Sequence, residues 1–492
     1  MYVFRKTTIN PFSYARVHAD YADRLEYSAL EDTKTLHHQY PKCHSTTSSV
    51  EPPILKFTTM QGHTHDRSQH HHTPFHPVIQ EFKDFIEGDP AIYMGFHQMF
   101  EQIPNRPPYT EDPTGKPQIR DYTSMLHSFN HIITTAPKYE DNVFVGFPIN
   151  AILNWPMATP AGLAMFCDPR VNGMFKKMFD VWAKFLSSPE SRYVLTDSDE
   201  DGWFGSKASK AIPDFADTFV CDPDQPYWGY ASWDDFFTRR FRPGVRPVEL
   251  VGDESVVNNA CEATVYRIKG NVRANDQFWI KGEPYNLRYM LNNDPAVDRF
   301  VGGTIYQAFL SAISYHRWHS PVNGRIVRTE MISGTYYAES PAMGFQYEVV
   351  DMENGTGSCG RKLQNGHTGL GTGGGHKPGI RIPDPAASTD SQAFITSTAA
   401  RALVFIEADN PDIGLMCFMA VGMAEVSTCE ITVGRGQVVK KGDELGMFHF
   451  GGSTYCLIFR PETKITFSAE LPIDRNVLLN SAIATVASRI AD

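Results

Sequence analysis

Gly442-Asp443-Glu444-Leu445-Gly446-Met447-Phe448-His449-Phe450-Gly451-Gly452-Ser453-Thr454-Tyr455-Cys456-Leu457-Ile458-Phe459 leads from a turn through one apolar run, across two glycines, into a second apolar run. Both runs have the length of strands, and Gly442-Asp443 punctuates the start of the first. Glycine allows close approach and strained backbone angles, so Gly451-Gly452 permits an unusual geometry at the peptide bond before Ser453. A hydroxyl one bond downstream can attack the Gly452 carbonyl and turn the amide into an ester. β-Elimination of that ester leaves a carboxylate on Gly452 and dehydroalanine at 453. Hydrolysis of the dehydroalanine, with its nitrogen leaving as ammonia, then gives a pyruvoyl group at a new N-terminus. Gly-Gly-Ser-Thr alone is a commonplace turn, so the reading depends on what accompanies it.

Outward from this stretch the texture is the same back to about residue 250. Short β-rich runs at 264–268, 324–328, 402–406, 415–421, 429–433 and 455–459 alternate with Gly and Pro turns, the pattern of a domain of many short strands. Residues 433–443 resemble the hairpins of biotinyl and lipoyl carrier domains. A carrier presents its lysine at an exposed hairpin tip, whereas Lys440 and Lys441 precede a Gly-Asp turn. The similarity therefore implies barrel-sandwich-like hairpins and no lipoylation.

Before residue 250 the periodicity is helical. Val78, Ile79, Phe82, Phe85 and Ile86 recur at helical spacing, and Gly88 stops them. Asp89-Pro90 and Asp168-Pro169 each supply an N-cap and a first-turn proline. The second opens a helix with Val171, Met174, Phe175, Met178, Phe179, Trp182, Phe185 and Leu186 on one face. Ser232-Trp233-Asp234-Asp235 has the form of a capping box. The expected fold class is α+β, with a flexible leader at 1–74, a helical N-terminal domain at 75–230 and a β-rich catalytic domain at 231–492. Residues 351–390 read as a Gly-rich inserted loop. Its Gly369–Lys377 stretch lacks the spacing of a nucleotide-binding turn.

The 492 residues carry a net charge of −11, which argues against nucleic acid as a partner. The longest apolar stretch, 414–424, is far shorter than a membrane span, so no integral membrane segment is expected. The eight cysteines include no CxxC pair, which fits a reducing, cytoplasmic setting. His63, His65, His70, His71, His72 and His76 cluster at the end of the leader, but a tract without fixed geometry implies no metal site.

Tyr315-His316-Arg317-Trp318-His319-Ser320-Pro321-Val322-Asn323-Gly324 sets two histidines three residues apart before a turn. Histidine suits proton transfer near neutral pH, and a serine, a histidine base and an orienting acid together activate a hydroxyl.

Four segments in order resemble the phosphatidylserine decarboxylase family of pyruvoyl enzymes. They are Trp233-Asp234-Asp235-Phe236-Phe237-Thr238-Arg239-Arg240-Phe241-Arg242-Pro243-Gly244, the KGxxY element Lys281-Gly282-Glu283-Pro284-Tyr285, the His316/His319 block, and Gly451-Gly452-Ser453-Thr454. Gly451 stands where the family usually has leucine. Ile79–Ile86, Gly334-Thr335-Tyr336, Phe405–Asn410 and Gly446–Ser453 resemble the fungal tryptophan decarboxylase subgroup of psilocybin biosynthesis.

The resemblance implies a pyruvoyl cofactor made from Ser453 by cleavage after Gly452, with no pyridoxal phosphate (PLP). It gives His319 as the base of maturation and His316 as the group serving decarboxylation. Glu262 takes the place of the family's triad aspartate, with Ala263 in place of the following glycine. Phe448, Phe450 and Trp318 are candidate pocket walls. The implied substrate is a small-molecule amino acid, tryptophan first, with phosphatidylserine as the alternative. Residues 1–452 and 453–492 are expected to stay associated as β and α chains. A non-catalytic carrier-like module is the reading from a different class, and an uncut chain would favour it.

Overall fold

The computed structural model describes residues 74–140, 147–276, 285–340, 347–350, 380–383, 391–426, 428–450, 453–469, 471 and 475–488. The leader up to residue 73, the KGxxY element before Tyr285, most of the Gly-rich insertion and Gly451-Gly452 lie outside the described residues.

The helices begin where local chemistry allows. α1 (Pro77–Gly88) buries Val78, Ile79, Phe82 and Ile86. Asp89 then caps α2 (Pro90–Glu101), accepting from Ala91 N at 2.8 Å and Ile92 N at 3.3 Å. α3 (Tyr122–Ile132), α4 (Pro148–Met157) and α5 (Pro160–Cys167) follow. Asp168 caps α6 (Pro169–Leu186). Arg170 ties the two capping aspartates together, reaching Asp89 at 2.7 Å and Asp168 at 2.8 Å. The short α7 (Ser206–Ala211) and α8 (Phe215–Thr218) precede α9 (Trp233–Phe237), where Ser232 Oγ accepts from Asp235 N as a capping box does.

The strands are β1 (Val256–Asn258), β2 (Ala263–Gly270), β3 (Thr304–Leu310), β4 (Arg317–His319), β5 (Gly324–Ile332), β6 (Tyr347–Val350), β7 (Ile380–Pro383), β8 (Arg401–Ala408), β9 (Leu415–Gly422), β10 (Thr428–Ile431), β11 (Val438–Val439), β12 (Glu444–His449), β13 (Ser453–Phe459), β14 (Ile465–Phe467), β15 (Asn476–Val477) and β16 (Ala482–Val486). Eight form one sheet in the order β11-β5-β8-β9-β13-β3-β2-β15, so the α+β class holds. The sheet ends in two edges and does not close into a barrel among the described residues. β7 lies inside the segment expected to be a loop. It pairs antiparallel with β6, and the Gly-rich residues separate the two strands.

β13 sits between β9 and β3, antiparallel to both, with Ser453 opposite Gly422 on one side and Leu310 on the other. Alternation sends Tyr455, Leu457 and Phe459 into one core and Cys456 and Ile458 into another. The first core also takes Trp318, Leu445 and Phe448 from the small sheet β10-β12-β4. The second is covered by α10 (Leu287–Met290), α11 (Val297–Phe300) and α12 (Gln392–Thr398). With apolar cover on both faces, β9 is buried along its whole length. A third core joins the helical residues to Tyr315, Tyr337 and Phe450.

Candidate active site

Ser453 is fully buried at the head of β13, and its Oγ has no hydrogen-bond partner among the described residues. Thr454 is held on the opposite face. Its Oγ1 donates to Ala308 O at 2.9 Å and accepts from Gln307 Nε2 at 3.0 Å. Gln307 Oε1 in turn accepts from Tyr285 Oη at 2.6 Å, and Gln307 Nε2 reaches Gln392 at 3.2 Å. These buried bonds fix the strand end that carries Ser453. The sequence signal for Gln307 was one polar residue inside an apolar strand.

The 233–244 segment grips the histidine block almost residue by residue. Phe237 stacks on His316 with centroids 4.1 Å apart. Arg317 Nε donates to Thr238 O at 2.6 Å, and its Nη1 contacts both Glu444 oxygens at 2.9 Å. Arg239 donates to the carbonyls of Ile313 and Ser314 at 2.7 and 3.1 Å, while Phe219 lies under its guanidinium. Phe241 packs on Tyr315 at 4.1 Å. His316 is thereby buried, and its carbonyl accepts from Phe448 N at 2.9 Å.

His319 Nδ1 lies 2.7 Å from Gly442 O, and its Nε2 lies 3.0 Å from Tyr315 Oη. A carbonyl can only accept, so Nδ1 carries the proton and Nε2 accepts from the tyrosine. Burial pushes the imidazole's pKa down, which keeps the ring neutral near pH 7. The Gly442 carbonyl is aimed by a left-handed backbone (φ 85°), and a Cβ there would come within 2.6 Å of Val248.

Glu262 is not the partner of His319. Arg246 holds its carboxylate in a fork at 2.7 and 2.8 Å, and Leu479 N adds a longer contact at 3.3 Å. Neither His316 nor His319 bonds the Ser453 hydroxyl.

The expected pocket walls are core residues. Trp318 lies between Phe418 and Phe448 at 5.3 Å from each, and Gly446 leaves room for its ring. Phe450 faces Trp182 and Trp233 in the helical core. No cluster of His, Cys, Asp and Glu suited to a metal ion occurs among the described residues. No helix there is long and apolar enough to cross a membrane.

Two family models described as phosphatidylserine decarboxylase match residues 76–212 and 233–484. The chain belongs to the phosphatidylserine decarboxylase family. Among relatives, decarboxylase iboD of Amanita muscaria is 44% identical over 69% of this chain and 91% of its own length. The L-tryptophan decarboxylase of Psilocybe cubensis is 38% identical over 78% of this chain and 81% of its own. The phosphatidylserine decarboxylase proenzyme 3 of Schizosaccharomyces pombe is 28% identical over 52% of this chain and 21% of its own. As a member of this pyruvoyl-dependent family, the chain is a carboxy-lyase.

Proposed function

We propose that this decarboxylase cuts itself between Gly452 and Ser453, carries a pyruvoyl group at 453, and converts a free aromatic L-amino acid, L-tryptophan first, to its amine and CO₂. The observation that carries the reading is the buried Ser453 hydroxyl, without a hydrogen-bond partner among the described residues, at the head of a strand paired on both sides. The surroundings fit a pyruvoyl group: the position is enclosed, and the Thr454 side chain beside it is fixed by two hydrogen bonds. Such a group supplies a ketone that takes the substrate amine and an electron sink for the departing carboxylate.

The chain's own residues do the rest. His319, neutral and with Nε2 as its basic atom, takes the proton of the Ser453 hydroxyl during maturation. For that transfer the Tyr315 hydroxyl must yield or relay. His316, held flat by Phe237, returns a proton to the substrate's α-carbon. The aromatic core around Phe450 keeps water from the reacting end of β13. Residues 453–492 stay bound because β13 is a central strand of the large sheet.

The substrate assignment rests on the tryptophan decarboxylases at 38% identity. Phosphatidylserine is the second reading, favoured by the descriptions of the matching family models. Intact-mass spectrometry of the purified protein tests cleavage. The expected result is two fragments, the smaller beginning at 453 with a blocked N-terminus, and an uncut Ser453→Ala variant without activity. An uncut Ser453→Ala protein with full turnover would sink the reading. Amine release from tryptophan, tyrosine, phenylalanine and phosphatidylserine, assayed side by side, decides the substrate.

A further inference from the structure

Only Gly451 and Gly452 separate Phe450 from Ser453. Ser453 is fixed between β3 and β9, and the chain is also held twice on the other side of the glycines. His449 is gripped at both ring nitrogens. Its Nδ1 lies 2.9 Å from Asp234 of α9, and its Nε2 lies 3.0 Å from Glu430 of β10. Two carboxylates on two nitrogens require both nitrogens to donate, which is the imidazolium state. The charged groups bearing on this ring are those two acids, and the Ser187 hydroxyl approaches the second Asp234 oxygen at 3.5 Å. Together they raise the imidazole's pKa against the opposing pull of burial.

Next to it, Phe450 has a left-handed backbone (φ 68°), which a residue of that bulk keeps only where its surroundings over-determine it. Its ring lies 6.2 Å from both Trp182 and Trp233, nearly parallel to each.

We propose that the Asp234–His449–Glu430 clamp, with the Trp182–Phe450–Trp233 stack, is a positioning device for self-processing, fixing the chain three and four residues ahead of Ser453 so that the Gly452 carbonyl reaches the Ser453 hydroxyl. This rests on the self-processing reading above. Attack needs the reacting atoms roughly 3–3.5 Å apart, and two consecutive glycines are otherwise the least constrained linker a chain can have. Anchors on both sides of the pair remove that freedom. A neutral His449 would donate at one nitrogen only and turn a lone pair toward the other carboxylate. The clamp therefore holds at lower pH and loosens as pH rises through the raised pKa.

The test is timed self-processing of the full chain. Precursor from brief cell-free synthesis is moved into buffers from acid to alkaline pH, and the appearance of the 453–492 fragment is followed by mass. Wild type is expected to slow on the alkaline side. Glu430→Gln removes one of the two anions at a site whose Glu430 side chain is 54% exposed, so the fold tolerates it. It should process normally in acid but lose rate at lower pH than wild type. His449→Gln should be about tenfold slower and lose that pH dependence.

Equal rates and profiles in all three proteins overturn the proposal. So does a slow His449→Gln with an unshifted Glu430→Gln, because a merely structural histidine would behave that way. Ser453→Ala separates the two ideas. If wild type never cuts, or Ser453→Ala cuts too, self-processing at Ser453 and the clamp fall together. If only Ser453→Ala fails to cut and the clamp variants match wild type, the clamp alone falls.

Discussion

Phe237 lies flat against His316, with ring centroids 4.1 Å apart and planes 19° apart. A stack of this kind contributes about 0.5–1.5 kcal/mol and sets the plane in which a histidine can move a proton. Phe237→Leu is therefore expected to cleave completely yet turn over about two- to tenfold more slowly. Turnover of the fully cleaved protein checks this. A variant that fails to cut would move His316 into maturation instead.

Tyr315 donates its hydroxyl proton to His319 Nε2, which favours the neutral ring. Its own pKa is pushed up by burial, so it stays a donor across the working range. Protonating His319 costs stability: its folded pKa lies below its ordinary value, so the folded state weakens as pH falls below that ordinary range. In Tyr315→Phe, His319 should protonate at higher pH, and the acid limb of self-processing should move upward. The rate of precursor loss against pH reads this directly, and an unmoved acid limb would remove His319 from the base role.

Glu262 and Arg246 form a forked ion pair whose side chains are 13% and 20% exposed. Because Arg246 is the partner, Glu262→Gln and Arg246→Met should behave alike. Each should lose about 1–3 kcal/mol of stability and still cut. Thermal unfolding and fragment analysis of both variants check the pair. Lost cleavage in Glu262→Gln alone would restore the family's triad role to this carboxylate.

Glu425 is fully buried just after β9, accepting from Ile149 N at 2.6 Å and Asn150 N at 2.9 Å at the start of α4. Burial pushes its pKa up to about 7 despite those donors. A raised carboxyl pKa means that its contribution is complete below the ordinary carboxylate range and is lost as pH climbs to about 7. Glu425→Gln should remove that dependence and gain on wild type by roughly 3 kcal/mol across the window. Denaturant midpoints at acid and neutral pH measure it. Parallel curves for the two proteins would mean that Glu425 is already charged in acid.

The helix starts were legible because a cap is local: Asp89, Asp168 and Ser232 bond amides two or three residues ahead. Strands such as β5, β8, β9 and β13 were legible because turn residues and runs of strand-forming side chains also act over a few positions, whereas short strands such as β1, β11 and β15 were not. The family could be read from ordered motifs, and Ser453 stood out because two glycines precede it. Partnership was not legible. Glu262 finds Arg246, and His319 finds a carbonyl 123 residues away, because strand register and chain crossings decide what lies opposite a side chain. Phe448 and Phe450 look alike in sequence and would share a face on a continuous strand. β12 ends at His449 and Phe450 turns left-handed, so one ring enters the core between the sheets and the other the helical core. The sequence alone determined the chemistry available at 453. Tertiary structure decided which groups surround it, because those contacts join segments that no local pattern couples.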